Sequence, residues 1–323
     1  MGRDHYESYF LRLHPPGTDR RALWLRYTLL ARQAAPDMVR TELWGTYFDS
    51  TLPQPVALRH RTAINSTTLS ADPHQWIAID GHALTPRHAT GAIAGPPAIT
   101  WDLSLDPSPH PPVVPYPYQW MYRAPFPKAK VVTPYPHCIA HGTLCLGTQC
   151  IPIDGWEGSL GHNWGRAHAE QYRWIQCSHF IEHPDAFFEA AVAQLRIGPC
   201  SLPPLAFFWL RIGKQIFPFN QLHRLINHPR PSAPLAWVFV AHNGTHTVVG
   251  SAQATAVDCV ALPYESPNGT TPACINASLA ALTLQLYAGC DTTAAPLYTL
   301  TTPHHAALEI LGRNTYGVPL RTL

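Results

Sequence analysis

Along most of this chain, apolar, β-branched and aromatic residues recur with the two-residue period of strands, in short runs broken by Pro, Gly, Asn and Asp. The first such runs are Glu7 to Leu13, Ala22 to Ala31, Val39 to Asp49, Val56 to Ile64, Trp76 to Ile79 and Ile99 to Leu105. After a Pro-rich passage over 107–136, Ala140 to Leu146 and Cys150 to Ile153 flank Gly147-Thr148-Gln149, which predicts a short hairpin. A second series follows: Tyr172 to Ile181, Ala186 to Ile197, Leu205 to Ile212, Gln215 to Phe219, Leu235 to His242, Thr247 to Asp258, Ala277 to Tyr287 and Ala306 to Leu311. The run over 186–197 also suits a helical period behind Pro184-Asp185, and the strand is the preferred of the two.

Two strand series of similar length predict an all-β chain of two barrel or sandwich modules, each with a mouth or lumen able to take an apolar ligand. The Pro-rich passage carries Tyr116, Tyr118, Trp120, Tyr122 and Phe126, aromatics that a solvated linker would lack. It is expected to be a loop within a domain, covering a pocket.

Composition changes the picture mainly by what it excludes. The chain has 323 residues, of which 13% are charged, about half the usual share, while Pro and His number 34 and 19. A net charge of +2 without a Lys/Arg-rich run argues against nucleic acid as a partner. No run approaches the roughly 20 apolar residues of a membrane span and the first residues lack a secretory pattern, so a cytoplasmic protein is expected, with contact to a membrane surface left open. Eight cysteines without a CxxC pair are read as buried free thiols, a Cys145–Cys150 bridge across the hairpin being the lesser alternative.

Candidate chemistry concentrates in Asp154-Gly-Trp-Glu-Gly-Ser-Leu-Gly-His-Asn-Trp-Gly165. Glycine permits sharp bends and close approach, while Asp, His, Asn and Trp supply proton transfer, hydrogen bonds and π faces. The competing reading is a tight corner packed by two core tryptophans.

Four segments together resemble the AttH and carotenoid 1,2-hydratase (hydroxyneurosporene synthase) group of lipocalin-like proteins, to which tocopherol cyclase and decalin-forming Diels-Alderases are similar in fold. They are Glu7-Ser-Tyr-Phe-Leu-Arg, Leu23-Trp-Leu-Arg-Tyr-Thr with Glu42-Leu-Trp-Gly-Thr-Tyr-Phe-Asp, Asp154-Gly-Trp to His162-Asn-Trp-Gly165, and Tyr172-Arg-Trp174 with Gln176. The resemblance implies two tandem lipocalin-like domains, 1–165 and 166–323, and an apolar isoprenoid or polyene ligand transformed without a cofactor. One departure matters. Carotenoid hydratases of this group have an Asp immediately before the His-Asn pair as the favoured proton donor, and this chain has Gly161 there.

Other acids must then be weighed. Asp154, Glu157 and Glu42 are candidates, since a carboxyl group enclosed by aromatics is kept neutral and can protonate an alkene. Strand alternation places Glu42 and Arg26 as an inward charge pair beside Trp24 and Trp44; so paired, Glu42 would stay ionised and serve as an electrostatic stabiliser, or the pair would simply close one barrel end. Asp154 either donates a proton or caps a turn. His162 is the candidate proton shuttle, or else it fixes the corner through a backbone hydrogen bond. Asn163 and Arg26 would orient polar substrate atoms. Trp44, Trp156, Trp164 and Trp174, with Gln176, are candidate pocket residues against a core role, and Trp120 and Tyr122 are candidate lid residues.

Nucleotide and nucleophile-elbow motifs are missing; position 157, where an elbow needs Gly, is Glu157. His304-His305 after Pro303 reads as a turn feature rather than a metal site. The sequons at Asn65, Asn243, Asn268 and Asn276 carry no weight without a secretory signal. The favoured function is cofactor-independent cyclisation of an isoprenoid or polyene through a carbocation, with hydration as a close variant. Pericyclic folding of a polyene and non-catalytic carriage of a lipophilic metabolite are the alternatives.

Overall fold

The computed structural model describes residues 4–32, 35–63, 67–68, 76–197, 200–221, 224 and 233–321. The first sheet comprises β1 (His5–His14), β2 (Arg21–Arg32), β3 (Ala35–Asp49), β4 (Val56–Ala63), β5 (Thr67–Thr68), β6 (Ile77–Ile79), β7 (His82–Leu84), β8 (His88–Ile93), β9 (Ile99–Pro107), β10 (Ala129–Leu146) and β11 (Gln149–Gly165). Its order is β4-β3-β2-β1-β11-β10-β9-β8-β7-β6-β5. One helical turn, α1 (Trp120–Arg123), lies between β9 and β10.

The second sheet is built from β12 (Gln171–Cys177), β13 (Phe187–Gln194), β16 (Leu205–Ile212), β17 (Gln215–Phe219), β18 (Ala236–His242), β19 (His246–Gln253), β20 (Cys259–Pro263), β21 (Ala273–Ala288) and β22 (Tyr298–Gly312). It runs β17-β16-β13-β12-β22-β21-β19-β18, with β20 added on β21, while β14 (Arg196–Ile197) and β15 (Cys200–Ser201) form a separate small ribbon. Both large sheets curl into nearly closed barrels, as the all-β, two-barrel expectation requires. The ambiguous run over 186–197 is a strand at 187–194.

Each barrel is filled by side chains. Leu11, Leu25, Tyr27, Leu43, Trp101 and Leu160 belong to the first core, and Phe188, Phe208, Trp237, Phe239, Leu282 and Leu308 to the second. In the first, Tyr27 accepts the Trp101 indole N–H at 2.9 Å and donates to the Thr90 carbonyl at 2.8 Å, so the buried polar atoms are paired across the barrel.

The two barrels meet through the outer faces of β1, β2 and β3. Ala22, Trp24, Trp44 and Phe48 pack against Val260, Leu262, Tyr264, Cys274, Leu279 and Leu311, and Phe10 packs against Trp174 and Ala307. Buried Arg12 donates to the carbonyls of Ser278 and His305, both at 2.8 Å. Beside it, His14 stacks on His305 with centroids 4.2 Å apart, and His179 and His304 complete a histidine seam. Among the described residues no group of three or more His, Cys, Asp or Glu side chains is arranged to hold a metal ion.

Four local expectations are corrected. The glycine-rich stretch is no corner: β11 runs on through it to Gly165, paired with β1 so that Tyr9 faces His162, Phe10 faces Gly161 and Ser8 faces Asn163. Gly158 serves close approach, because a Cβ there would stand 1.8 Å from the Arg12 carbonyl oxygen, whereas Gly155 adopts a φ of 65° at a register shift. Residues 129–136, read as loop, belong to β10, where Pro134 and Pro136 fall at register shifts that need no N–H from them. Pro303-His304-His305 lies inside β22, beside a similar register shift, with both histidines buried. Cys145 and Cys150 are disulfide-bonded across the hairpin; of the six free thiols, Cys138, Cys177, Cys259 and Cys274 are buried, and Cys200 and Cys290 are exposed. Asn65 lies outside the described residues.

Candidate active site

A cavity of about 140 Å³ lies between the barrels, room for more than isolated waters. Tyr6 and Phe10 of β1, Trp24 and Arg26 of β2 and Asn163 of β11 form one wall. Tyr172 and Trp174 of β12, Phe207 of β16, Glu309 of β22 and Tyr264 form the other. Strand alternation explains the split: residues 6, 8, 10 and 12 of β1 point toward the second barrel, while Leu11 and Leu13 fill the first.

Glu309 is the acid within this cavity. Its Oε2 accepts the Tyr172 hydroxyl at 2.8 Å and its Oε1 accepts the Asn276 amide at 3.0 Å. Burial pushes its carboxyl above the ordinary range, against the opposing pull of the Tyr172 hydrogen bond and the Arg26 charge. Arg26 donates from Nε to Ser8 Oγ at 2.6 Å and its guanidinium carbon lies 4.2 Å from the centroid of the Tyr264 ring. Burial works against the Arg26 charge, but Tyr264, Tyr172 and Glu309 more than offset it. His168, its ring tilted against Tyr6 at 4.2 Å between centroids, is neutral: burial and the nearby Arg26 hold it down at about 3.

Trp174 lines the cavity with its indole N–H fixed on Glu189 Oε1 at 2.9 Å. Glu189 is fully buried, takes the Thr133 hydroxyl at 2.7 Å, and is pushed up by burial. Asn163 lines the cavity, and its Oδ1 is buried without a partner among the described residues. Of the Pro-rich loop, Tyr116 reaches the cavity and is anchored on the Ala129 carbonyl at 2.7 Å, while Lys130 is tied to the Ala124 carbonyl at 3.0 Å.

Only Arg26, Asn163 and Trp174 of the sequence candidates line this cavity. Asp154 stands on the hairpin with its side chain 90% exposed, bonded to His141 at 2.9 Å, so it has neither the burial nor the place of a proton donor. Glu42 faces the second barrel rather than the first barrel's interior. Its partners are Arg61, with Nε at 2.9 Å, Arg59 at 3.7 Å and the Trp44 indole at 3.0 Å, in place of the expected Arg26. Glu157 is bonded to His179 at 2.9 Å in the histidine seam.

His162 points into the mouth of the first barrel. It meets Glu7 at 2.8 Å and is sandwiched between Tyr9 and Trp164, with centroids 4.1 and 4.5 Å away. Glu7 is held down at about 2: burial would raise it, but hydrogen bonds from His162 and His5 prevail. Trp164 stacks on Tyr122, whose hydroxyl donates to Val131, and neither belongs to the cavity wall. Trp156 is in the first core, Trp44 in the contact between barrels, and Gln176 is buried against the Ser159 hydroxyl. Trp120 is 59% exposed. Gly161 faces the second barrel, where the Phe10 ring fills the room that an acid would need.

Glu309, Tyr172, Tyr264, His168 and Trp24 complete the site and were absent from the sequence candidates. Tyr172 belonged to a recognised motif, but the period-two pattern around Glu309 marks a strand without marking which polar residue meets a cavity.

Residues 52–312 match the sequence model of the family described as Tocopherol cyclase-like. Two uncharacterized proteins of Mycobacterium tuberculosis, from strains CDC 1551 / Oshkosh and ATCC 25618 / H37Rv, are each 26% identical over 214 residues, 65% of this chain. That match spans 62% of the length of those relatives. The fold is similar to an AttH-type protein of Nitrosomonas europaea (TM-score 0.55, 12% identity, covering 97% of this chain and 93% of that one). It is similar as well to kievitone hydratase of Nectria haematococca (TM-score 0.57, 11% identity, 96% and 89% covered). A third likeness is to CghA (TM-score 0.59, 11% identity, 97% and 89% covered). Among the described residues no helix is long and apolar enough to cross a membrane.

Proposed function

This chain belongs to the tocopherol cyclase-like family, and on that premise we propose that it is an enzyme that cyclises an isoprenoid or polyene in the cavity between its barrels. The observation that carries this reading is Glu309, a carboxyl group that burial pushes toward its protonated form at an aromatic-lined cavity. A neutral buried acid gives up its proton to an alkene more readily than one solvated and ionised. The cation so formed faces Trp24, Trp174, Phe10 and Phe207, each ring contact contributing on the order of 0.5 to 2 kcal/mol. Tyr172 and Asn276, bonded to the two carboxyl oxygens, fix the acid and receive it as a carboxylate after transfer.

Ring closure follows when a substrate hydroxyl, held on Asn163 Oδ1, attacks the cation and passes its proton back to Glu309. Water in place of that hydroxyl gives hydration. Arg26 lies within the same wall and steadies the carboxylate once it forms.

The test is product formation from polyprenylated phenols and linear polyenes, followed by mass spectrometry, with the wild type and Glu309→Gln. Loss of turnover with retained ligand binding supports acid initiation. Turnover that survives Glu309→Gln overturns it and favours pericyclic folding, in which shape does the work. Ligand recovered unchanged from the wild type favours a carrier.

A further inference from the structure

Arg26 is a buried charge without a counter-charge. It lines the cavity from β2 and is only 5% exposed, yet among the described residues no carboxylate forms an ion pair with it. Its Nε donates to Ser8 Oγ at 2.6 Å, whereas Nη1 and Nη2 have no acceptor among the described residues. Neither of these nitrogens is fully enclosed by protein, in contrast to the unpartnered Nε of Arg12. The Tyr264 ring covers one face of the guanidinium, 4.2 Å from its carbon, and Ser8 takes the Nε side. What remains to meet a ligand is the edge formed by Nη1 and Nη2.

The surroundings supply no anion for that edge. Glu309, the acid among the cavity-lining residues, is pushed toward its protonated form by burial, and its two oxygens accept from Tyr172 and Asn276. His168 is neutral. Glu42, whose charge is felt at Arg26, is bonded to Arg61. Taking a guanidinium out of water is costly unless an anion meets it, so one left bare at a cavity wall suits a ligand that brings the anion with it. Lys130, the other cation of the lining, already donates to the carbonyls of Met121 and Ala124, at 2.5 and 3.0 Å. One guanidinium edge with two parallel N–H donors matches the two oxygens and single charge of a carboxylate, and no second free cation lines the described wall for the further charge of a phosphate.

We propose that the ligand of this cavity is an apolar chain bearing one carboxylate, whose two oxygens sit on Nη1 and Nη2 of Arg26. The inference rests on the cavity being the ligand site proposed above and names the class of its substrate; it does not rest on cyclisation. The chain beyond the carboxylate lies against Phe10, Trp24, Trp174 and Phe207. Arg26 acts on Glu309 through its field, without an ion pair, so seating a carboxylate displaces neither Tyr172 nor Asn276 from that acid.

The test is calorimetric titration of the native full chain at pH 7 with one isoprenoid chain carrying four different heads: geranic acid, geraniol, geranylamine and geranyl phosphate. Geranic acid is expected to bind about tenfold more tightly than geraniol, with geranylamine the weakest of the four. Arg26→Gln should bring geranic acid to within about twofold of geraniol, and Arg26→Lys, which keeps the charge without the fork, should fall between. The comparison of heads on the wild type needs no substitution, and near-ultraviolet circular dichroism shows that each variant is folded. Equal binding of acid and alcohol to the wild type, a preference that survives Arg26→Gln, or tighter binding of the phosphate than of the acid overturns the proposal. Failure of all four to bind overturns the cavity as the ligand site and this proposal with it. Turnover that survives Glu309→Gln removes acid initiation and leaves the carboxylate preference standing, because the two are read by separate measurements.

Discussion

The Phe10 ring lies against the backbone of Gly161, its Cζ 2.0 Å from where a Cβ would stand. The position that carries the acid in carotenoid hydratases is thus closed by a neighbouring ring. Gly161→Asp is expected to cost about 1–3 kcal/mol of stability through overpacking, and Phe10→Ala in the same chain should recover part of it by making room. Denaturant midpoints of the wild type and the two variants check this; a Gly161→Asp protein as stable as the wild type would sink it.

Glu309→Gln keeps the size and hydrogen-bonding reach of the side chain but has no proton to give. Its kcat on any turned-over substrate should fall by about 10²- to 10⁴-fold with KM little changed. Asn163→Ala, by contrast, should act mainly on KM, because Asn163 lines the cavity and has no proton to give as an acid. Steady-state kinetics separate the two, and equal effects on both constants in both variants would count against these roles.

Trp174→Phe retains a ring face in the cavity and deletes the N–H bound to Glu189. The cost in stability should be about 1–3 kcal/mol, from a buried carboxyl oxygen left with one donor fewer. Urea unfolding measures it, and a loss under about 0.5 kcal/mol would mean that the site relaxes around the change.

The histidine seam makes stability depend on pH. His14 is held well below its ordinary value by burial and by the charges of His305 and Arg12, and His305 is held at about 3 by burial and neighbouring histidines. Below roughly pH 6.5 the unfolded chain therefore binds more protons at these rings than the folded one. Their contribution is complete above that pH and is lost as pH falls toward the folded values. Glu7, depressed to about 2, adds a further loss below roughly pH 4.3. Unfolding midpoints should decline from pH 7 to 5, less steeply in His305→Phe; a flat wild-type profile over that interval would contradict the account.

The Pro-rich loop should divide by residue. Tyr116 lines the cavity, whereas Trp120 is exposed. Tyr116→Ala is expected to weaken ligand binding, and Trp120→Ala to leave binding unchanged and stability within about 0.5 kcal/mol. Ligand titration by fluorescence distinguishes them.

How legible this was from sequence differs from residue to residue. Alternation in Ala22 to Ala31 and Val39 to Asp49 placed both strands, and it put Arg26 and Glu42 on one face correctly. Alternation does not say which face meets a barrel interior and which meets another domain, and so the pair was aimed inward. Asp154 drew notice because acids among glycines suggest chemistry, yet its strand position leaves it in solvent. Glu309 lies 283 positions after Arg26 and lines the same cavity, from the opposite wall, only because β22 and β2 meet across the two barrels. Such meetings are tertiary, and no local period encodes them.

Because β1 has two working faces, its pairing is more demanding than that of a strand with one side in water. A slip of one residue against β11 would turn Leu11 and Leu13 out of the first core and drive Arg12 into it, and by the same movement take Tyr6 and Phe10 from the cavity wall. A misthreaded molecule cannot keep a sound barrel around a faulty pocket. Folding itself thus acts as quality control on the site: whatever fraction of the protein attains its first core has already aligned one wall of the pocket.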